Sequence, residues 1–241
     1  MHSFEVDKYA RDSSFQLFDP RAKIIGIFFF VVCVSLLQDI FLLFISTSFM
    51  LCLLALSGVP VVHLAKRYAI ALPFILFAAL TMWFTSGEEQ ALAMFMRISA
   101  SVLGLVLLIT TTEFHDLLKG LQKLHVPDII IRMLMFTYRY IFVFSDELRR
   151  MKLAREAKAY KSGRSFFHRN TMATISNTIG MVLVRAYERG LRVLDSLKAR
   201  AYDGRIKTLR ELKFASWDYG FCAVFFFLPA FLLCFEWGLI A

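Results

Sequence analysis

The chain has 241 residues, 58% of them hydrophobic and 26 of them phenylalanine, with a mean hydropathy of +0.60. That much apolar surface excludes an ordinary soluble domain and points to helices that cross a bilayer. The net charge of +9 is confined: residues 113–216 hold 21 Lys/Arg against 10 Asp/Glu, and the rest of the chain holds 7 against 9.

The first residues, Met1 to Ser14, include Glu5, Asp7, Lys8, Arg11 and Asp12. A signal peptide needs a basic start leading straight into an apolar run, so residues 1–20 read as a retained polar arm. Asp19-Pro20-Arg21-Ala22-Lys23 reads as a helix start, with Asp as cap and Pro at the first helical position. A first span follows from Ile24 to about Leu37. Gln38-Asp39 separates it from a second, Phe41 to about Leu56, which Gly58 and Pro60 close. His63, Lys66 and Arg67 mark a polar loop. The third span runs from about Tyr68 to Phe84 and contains Pro73, which a membrane helix tolerates. Ser86-Gly87-Glu88-Glu89 is the next loop, and a fourth span runs from about Ala91 to Thr111. Arg97 in this span is a functional-site candidate by default. It lies only about two turns in, so snorkelling to the interface is the favoured reading.

A polar block occupies Thr112 to Asp218. Pro127 precedes a helix from about Asp128 to Lys161, and Ser162-Gly163 breaks it. A second helix runs from about Arg169 to Ala201. Its apolar residues Met172, Ile175, Ile179, Val182, Ala186, Val193 and Leu197 form one stripe, with Arg185, Glu188, Arg192 and Asp195 opposite. The stripe predicts packing against the helix before it. Arg200 returns to the apolar side as this helix ends, between Ala199 and Ala201. Small neighbours leave a guanidinium free for bidentate bonding in a partner's groove. A solvated helix end, with the cation complementing the dipole, accounts for the same pattern. A short basic piece, Arg205 to Lys213, leads to a last span over about Tyr219 to Leu239.

Five spans place every basic segment on one face. Arg11, Arg21 and Lys23, then Lys66 and Arg67, then the basic block alternate with Asp39, with Glu88 and Glu89, and with an uncharged end after Glu236. The positive-inside rule puts the N-terminus in the cytoplasm and the C-terminus outside. The organisation predicted is a cytoplasmic arm over 1–20, a four-span membrane domain over 21–112, a cytoplasmic helical domain over 113–217 and a final span over 218–241. The basic block also offers a surface to anionic lipid or an acidic partner. No nucleic-acid recognition motif accompanies it.

Motifs for catalysis are missing. GxxxxGK[ST], GxGxxG and GxSxG do not occur. Cys33, Cys52, Cys222 and Cys234 lie in apolar runs, and His2, His63, His115, His125 and His168 have no ligand spacing, so no metal site is predicted. Asp146, Glu147 and Glu156 stand among Arg149, Arg150, Lys152 and Arg155, a pattern of ion pairing on a helix surface.

Several ordered stretches resemble one family. They are Leu17-Phe18-Asp19-Pro20-Arg21-Ala22-Lys23, Thr110-Thr111-Thr112-Glu113-Phe114, Leu124-His125-Val126-Pro127, Thr137-Tyr138-Arg139-Tyr140-Ile141-Phe142-Val143, Arg192-Val193-Leu194, and Lys198-Ala199-Arg200-Ala201-Tyr202-Asp203-Gly204-Arg205. From about residue 17 to 213 the chain is similar to the transmembrane coupling component of energy-coupling factor transporters, in their cobalt-transport (CbiQ-like) branch. The resemblance implies an all-α membrane protein of about five transmembrane helices plus a cytoplasmic domain of long crossed amphipathic coupling helices. It implies a multi-pass, non-catalytic inner-membrane subunit with no cofactor of its own. Two ATP-binding cassette subunits would bind ATP on the cytoplasmic side, and a separate membrane subunit would capture the substrate; the assembly can include a small accessory membrane subunit. Each coupling helix of the family ends in a small-Arg-small motif that docks on one ATPase. The second motif matches at Ala199-Arg200-Ala201. The first falls at Ala157-Lys158-Ala159, where Lys keeps the charge and loses the planar fork. Asp19, Pro20, Arg21, Tyr138, Arg139, Asp203 and Gly204 are further family-motif positions.

Within the family, nickel, a vitamin or another substrate is the alternative cargo. Outside it, a membrane-embedded enzyme of lipid metabolism and a carrier or channel working alone remain as alternatives. Co-purification separates these classes, since only a coupler brings ATPase subunits with it.

Overall fold

The computed structural model describes residues 18–158, 169–202, 216–236 and 238. The arm up to residue 17, Ala159, Ser162-Gly163, Asp203, Gly204 and the basic piece over 205–213 lie outside the described residues. Eight α-helices and no strand occur among those described.

The first unit comprises described residues of Met1–Val126 and Arg210–Ala241. Helix α1, Pro20–Leu36, starts as its sequence requires: the Asp19 side chain accepts the Arg21 N–H at 2.9 Å, and Pro20 occupies the first turn. Helix α2, Ile40–Leu56, follows a three-residue link. The carboxylate of Glu236 accepts the N–H of Gln38 at 2.7 Å and of Asp39 at 3.3 Å, so a residue from the far end of the chain satisfies donors at the start of α2.

Helix α3, Val61–Ser86, contains the stretch His63, Lys66 and Arg67 that was predicted as a loop. The chain turns within Ser57–Pro60 instead, using Gly58 at φ +73°, and the Pro60 carbonyl accepts the His63 N–H at 2.9 Å. Helix α4, Glu88–Thr111, likewise absorbs Glu88 and Glu89. Only Gly87 separates it from α3, at φ 97° and ψ 178°, a conformation open essentially to glycine alone. The two glutamates then occupy the first turn of α4, where they complement the helix dipole.

A short helix, α5, Phe114–Lys123, lies in the stretch predicted as the beginning of the polar block. It packs on α1: a Cβ on Gly120 would stand 3.0 Å from the Ile24 side chain and 3.3 Å from Pro20. The last helix of this unit, Ser216–Glu236, is α8 in chain order and carries Pro229.

α1 is in contact with α4, α5 and α8, and α4 in turn with α2 and α3. Ile27, Phe30 and Val34 are fully buried, with Leu43 and Met50 of α2, Leu107 of α4 and Phe225 of α8. Gly26 lets α8 approach, since a Cβ there would stand 3.1 Å from the Phe225 Cβ. Among the described residues three helices, α3, α4 and α8, are long and apolar enough to cross a membrane. α1 and α2 have 17 residues each, about 26 Å, at the lower limit for a span. Phe74, Phe77 and Phe84 of α3 are exposed, as lipid-facing residues are. The molecule is an all-α membrane protein.

The second unit is formed by described residues of Pro127–Leu209. It consists of α6, Asp128–Ala157, and α7, Arg169–Ala199. Arg155 donates to the Thr178 hydroxyl at 2.7 Å, and Arg185 pairs with Glu147. These ties occur in opposite order along the two helices, so α6 and α7 run antiparallel where they meet. Ile175, Val182, Ala186, Val193 and Leu197 are half-buried, in keeping with the predicted stripe. Met172 and Ile179 are exposed, and Thr174, Thr178 and Arg189 share the buried face instead. Five of the seven stripe residues thus face the partner helix, and Met172 and Ile179 fall outside the contact.

Candidate functional site

Each predicted coupling residue that is described stands at the end of a long helix. Ala157 is the last residue of α6 and Lys158 its C-cap, with the Lys158 N–H bonded to the Arg155 carbonyl at 3.1 Å. The Lys158 side chain is exposed and stands on a groove of about 550 Å³, lined also by Arg155 and Arg185 and by Thr174, Asn177 and Thr178 of α7. Arg155 and Arg185 are held in place by their ties across the helix pair. Glu156 pairs with Lys152 at 3.9 Å on its own helix, as the ion-pairing reading expects, whereas Glu147 reaches across to α7.

The end of α7 is tightly defined. The Tyr202 N–H bonds the Leu197 carbonyl at 3.1 Å, and the Ala201 N–H bonds the Lys198 carbonyl at 3.0 Å. Ala201 is left-handed, at φ +49°. This is a Schellman cap with alanine where glycine is usual, and Arg200 is its C-cap residue. The chain turns away directly after Arg200, so the guanidinium leaves from the helix end, exposed between two exposed alanines. Lys158 and Arg200 both sit at the negative end of a helix dipole, a favourable place for a cation.

They do not share one site. Lys158 stands beside Thr178, and from Thr178 to Arg200 α7 extends for roughly 33 Å. Two separate cationic ends result. An alanine held left-handed costs about 1–2 kcal/mol relative to the right-handed form, a cost glycine escapes. Ala201→Gly is therefore expected to slow amide exchange at residues 201 and 202 several-fold and to leave partner binding intact. Faster exchange would mean that the turn is not held by this cap.

The family-motif positions fall into two groups. Asp19, Pro20 and Arg21 open α1, and the nearby Lys23 is buried with its ammonium on the Thr111 carbonyl at 3.0 Å. That bond joins the first two motif stretches across 88 residues. Asp19, Thr110, Thr111, Thr112 and Asp116 are buried as well, and Lys119 stands 3.4 Å from Asp116. The sequence places Lys23 among the basic residues of the cytoplasmic face and carries no sign of this burial. Tyr138 and Arg139 lie within α6, where Tyr138 stacks edge-on with Phe142 at 5.0 Å and Arg139 is exposed. Among the described residues the left-handed non-glycine positions are His125 and Ala201, and both lie in stretches that carry the resemblance.

Arg97 is half-buried and lines a cavity of about 630 Å³ together with Gln38, Asp39, Glu89 and Gln90. Its Nη2 donates to the Leu37 carbonyl at 2.7 Å, capping the C-terminus of α1 across 60 residues. No group of three or more His, Cys, Asp or Glu residues that could hold a metal occurs among the described residues.

The family model described as the cobalt transport protein CbiQ matches residues 12–210. The cobalt transport protein CbiQ of Rhodobacter capsulatus is 33% identical over 130 residues, 54% of this chain and 52% of that protein. An uncharacterized protein of Methanocaldococcus jannaschii is 30% identical over 136 residues, 56% of this chain and 49% of the relative. Each of these two alignments spans about half of the relative's length. The nickel permease LarQ of Lactiplantibacillus plantarum is 23% identical over 186 residues, 77% of this chain and 66% of LarQ. A match over most of the chain, with the motif stretches in order, is decisive: the chain belongs to the CbiQ family of cobalt transport proteins.

Proposed function

We propose that this chain is the membrane coupling subunit of an ATP-driven cobalt importer of the energy-coupling factor type. In this reading α6 and α7 transmit the motion of two ATP-hydrolysing subunits to a separate membrane subunit that captures the substrate. The observation that carries it is the pair of exposed cationic helix ends, Lys158 and Arg200, one on each long helix and too far apart to serve one partner site. Exposed apolar residues on the same helices, among them Met133, Ile141, Leu183 and Tyr187, leave more uncovered surface than a helix pair working alone needs. Cobalt is the cargo favoured by the family description and by the R. capsulatus relative. Nickel is the second reading, favoured by the similarity to LarQ.

Reconstituted uptake tests the proposal. Cobalt should accumulate in vesicles only when this chain, the two nucleotide-binding subunits and a substrate-capture subunit are present together with ATP. Uptake by this chain alone would make it a carrier and overturn the assignment.

The orientation proposed is N-terminus inside, with α6 and α7 in the cytoplasm. In a background with Cys33, Cys52, Cys222 and Cys234 replaced, a cysteine at Glu88 should react with a membrane-impermeant maleimide added outside intact cells, and one at Lys66 should not. The reverse pattern would place α6 and α7 on the wrong side for ATP.

A further inference from the structure

The groove of about 550 Å³ at the end of α6 carries three cations, Arg155, Lys158 and Arg185, and no carboxylate among its lining residues. Arg185 is neutralised by Glu147. Arg155 and Lys158 have no ion pair among the described residues. Glu156, between them in sequence, is taken by Lys152, and residues 159–168, which join α6 to α7, include no Asp or Glu. Arg155 and Lys158 are three residues apart and line the same groove. Like charges so spaced repel until an anion joins them.

Arg155 is the better prepared of the two. Its Nη1 donates to the Thr178 hydroxyl at 2.7 Å, and that hydroxyl donates in turn to the Thr174 carbonyl at 2.6 Å. These bonds fix the guanidinium plane across the helix pair. Nε and Nη2 make no bond among the described residues and are not shut off from solvent. Together they form one edge of the planar fork, the edge that can hold both oxygens of a carboxylate. Lys158 adds a point charge without a fork, and Asn177 of α7 adds an amide.

We propose that Arg155 is the principal anchor of this coupling site, with Lys158 secondary, and that the groove takes the carboxylate of a Glu or Asp side chain from a nucleotide-binding subunit. The inference rests on the coupling function proposed above and identifies its contact at the end of α6. A side chain suits the groove better than a free phosphate does. Met151, Ala154 and Met181 also line it and would meet the methylenes of a glutamate, whereas phosphate would leave them bare.

The affinity of the nucleotide-binding subunits for the full chain in nanodiscs tests this. Arg155→Gln should weaken it about 30-fold or more, and Lys158→Ala by about fivefold at most. Thr178→Val removes the tie and leaves the guanidinium, so it should bind nearly as wild type. Equal loss in Thr178→Val and Arg155→Gln would mean that Arg155 acts only by joining the helices, and would overturn the inference. Lys158→Arg in the Arg155→Gln background should restore most of the binding, because it returns a fork to the same groove; no recovery would also overturn it. Arg200→Glu is the reference variant. Loss there without loss in Arg155→Gln would overturn the groove contact and leave the coupling function standing, and unchanged binding in both would overturn the two together. A rise in the melting temperature of the chain alone in micromolar pyrophosphate, absent in Arg155→Gln, would assign the groove to a soluble anion instead.

Discussion

Replacing Arg200 by glutamate is expected to abolish cobalt uptake and to detach at least one ATP-hydrolysing subunit, while the membrane helices stay folded. Arg200 is exposed in the isolated chain and caps α7, so its loss should cost the fold only a few tenths of a kcal/mol of dipole complementarity, up to about 1. In a closed groove the same guanidinium would be a desolvated, bidentate partner of a carboxylate. Truncating one side of such a pair costs on the order of 2–5 kcal/mol, and reversing the charge adds repulsion. Ala199 and Ala201 favour the closed groove because neither holds the partner away. Lys158→Ala should do less, about 0–1 kcal/mol, since an ammonium makes no bidentate contact and a rim pair is weak. Lys158→Arg should be tolerated or tighten the complex. Co-purification of the nucleotide-binding subunits, scored beside uptake for the three variants, checks the ranking. Equal loss in Arg200→Glu and Lys158→Ala would mean that the two ends are equivalent anchors.

Lys23→Ala is expected to be the most damaging single change in the membrane unit. The side chain is 2% exposed, and its ammonium holds the last turn of α4 against the first turn of α1 through the Thr111 carbonyl. Truncation opens a cavity and strips a cation from a region where Asp19 and Asp116 are also buried. Such losses cost on the order of 2–5 kcal/mol. Lys23→Met loses the same cation and donor but keeps most of the volume, so it is spared the cavity part of that cost. Thermal unfolding in detergent should therefore rank wild type above Lys23→Met above Lys23→Ala, with Lys152→Ala on the exposed face of α6 indistinguishable from wild type. If Lys23→Ala melts with Lys152→Ala, the buried bond contributes nothing and the two motif stretches are held together by packing alone.

Local signals carried much of this fold into view. The apolar runs gave the membrane helices, Asp19-Pro20 gave the start of α1, Pro127 the start of α6, and five of the seven stripe residues, Ile175, Val182, Ala186, Val193 and Leu197, the half-buried face of α7. Two loop boundaries misled because charge was read as loop. Lys66 and Arg67 are good helix formers in a helix longer than the bilayer is thick, and Glu88 and Glu89 suit a first turn. What the sequence hid was long-range. Nothing near Lys23, Arg97 or Glu236 says that their partners are Thr111, Leu37 and the Gln38–Asp39 amides, 60 to 198 residues away. Each is a charged side chain completing the end of another helix, and only the assembled unit shows which end. At the candidate site, the Ala-Arg-Ala triplet was legible as a small-cation-small pattern. The cap that projects Arg200 was not, because alanine at a left-handed position carries no local signature.

In the assembled transporter the two cationic helix ends are expected to meet nucleotide-binding subunits. A photoreactive amino acid placed at residue 158, and separately at residue 199, in the assembled transporter tests it most directly, with the attached protein identified by peptide sequencing. Both positions are expected to capture nucleotide-binding subunits, through peptides rich in Asp and Glu. Capture of only lipid, or of only the substrate-binding membrane subunit, at both positions would contradict the account and return Lys158 and Arg200 to the status of solvated helix ends.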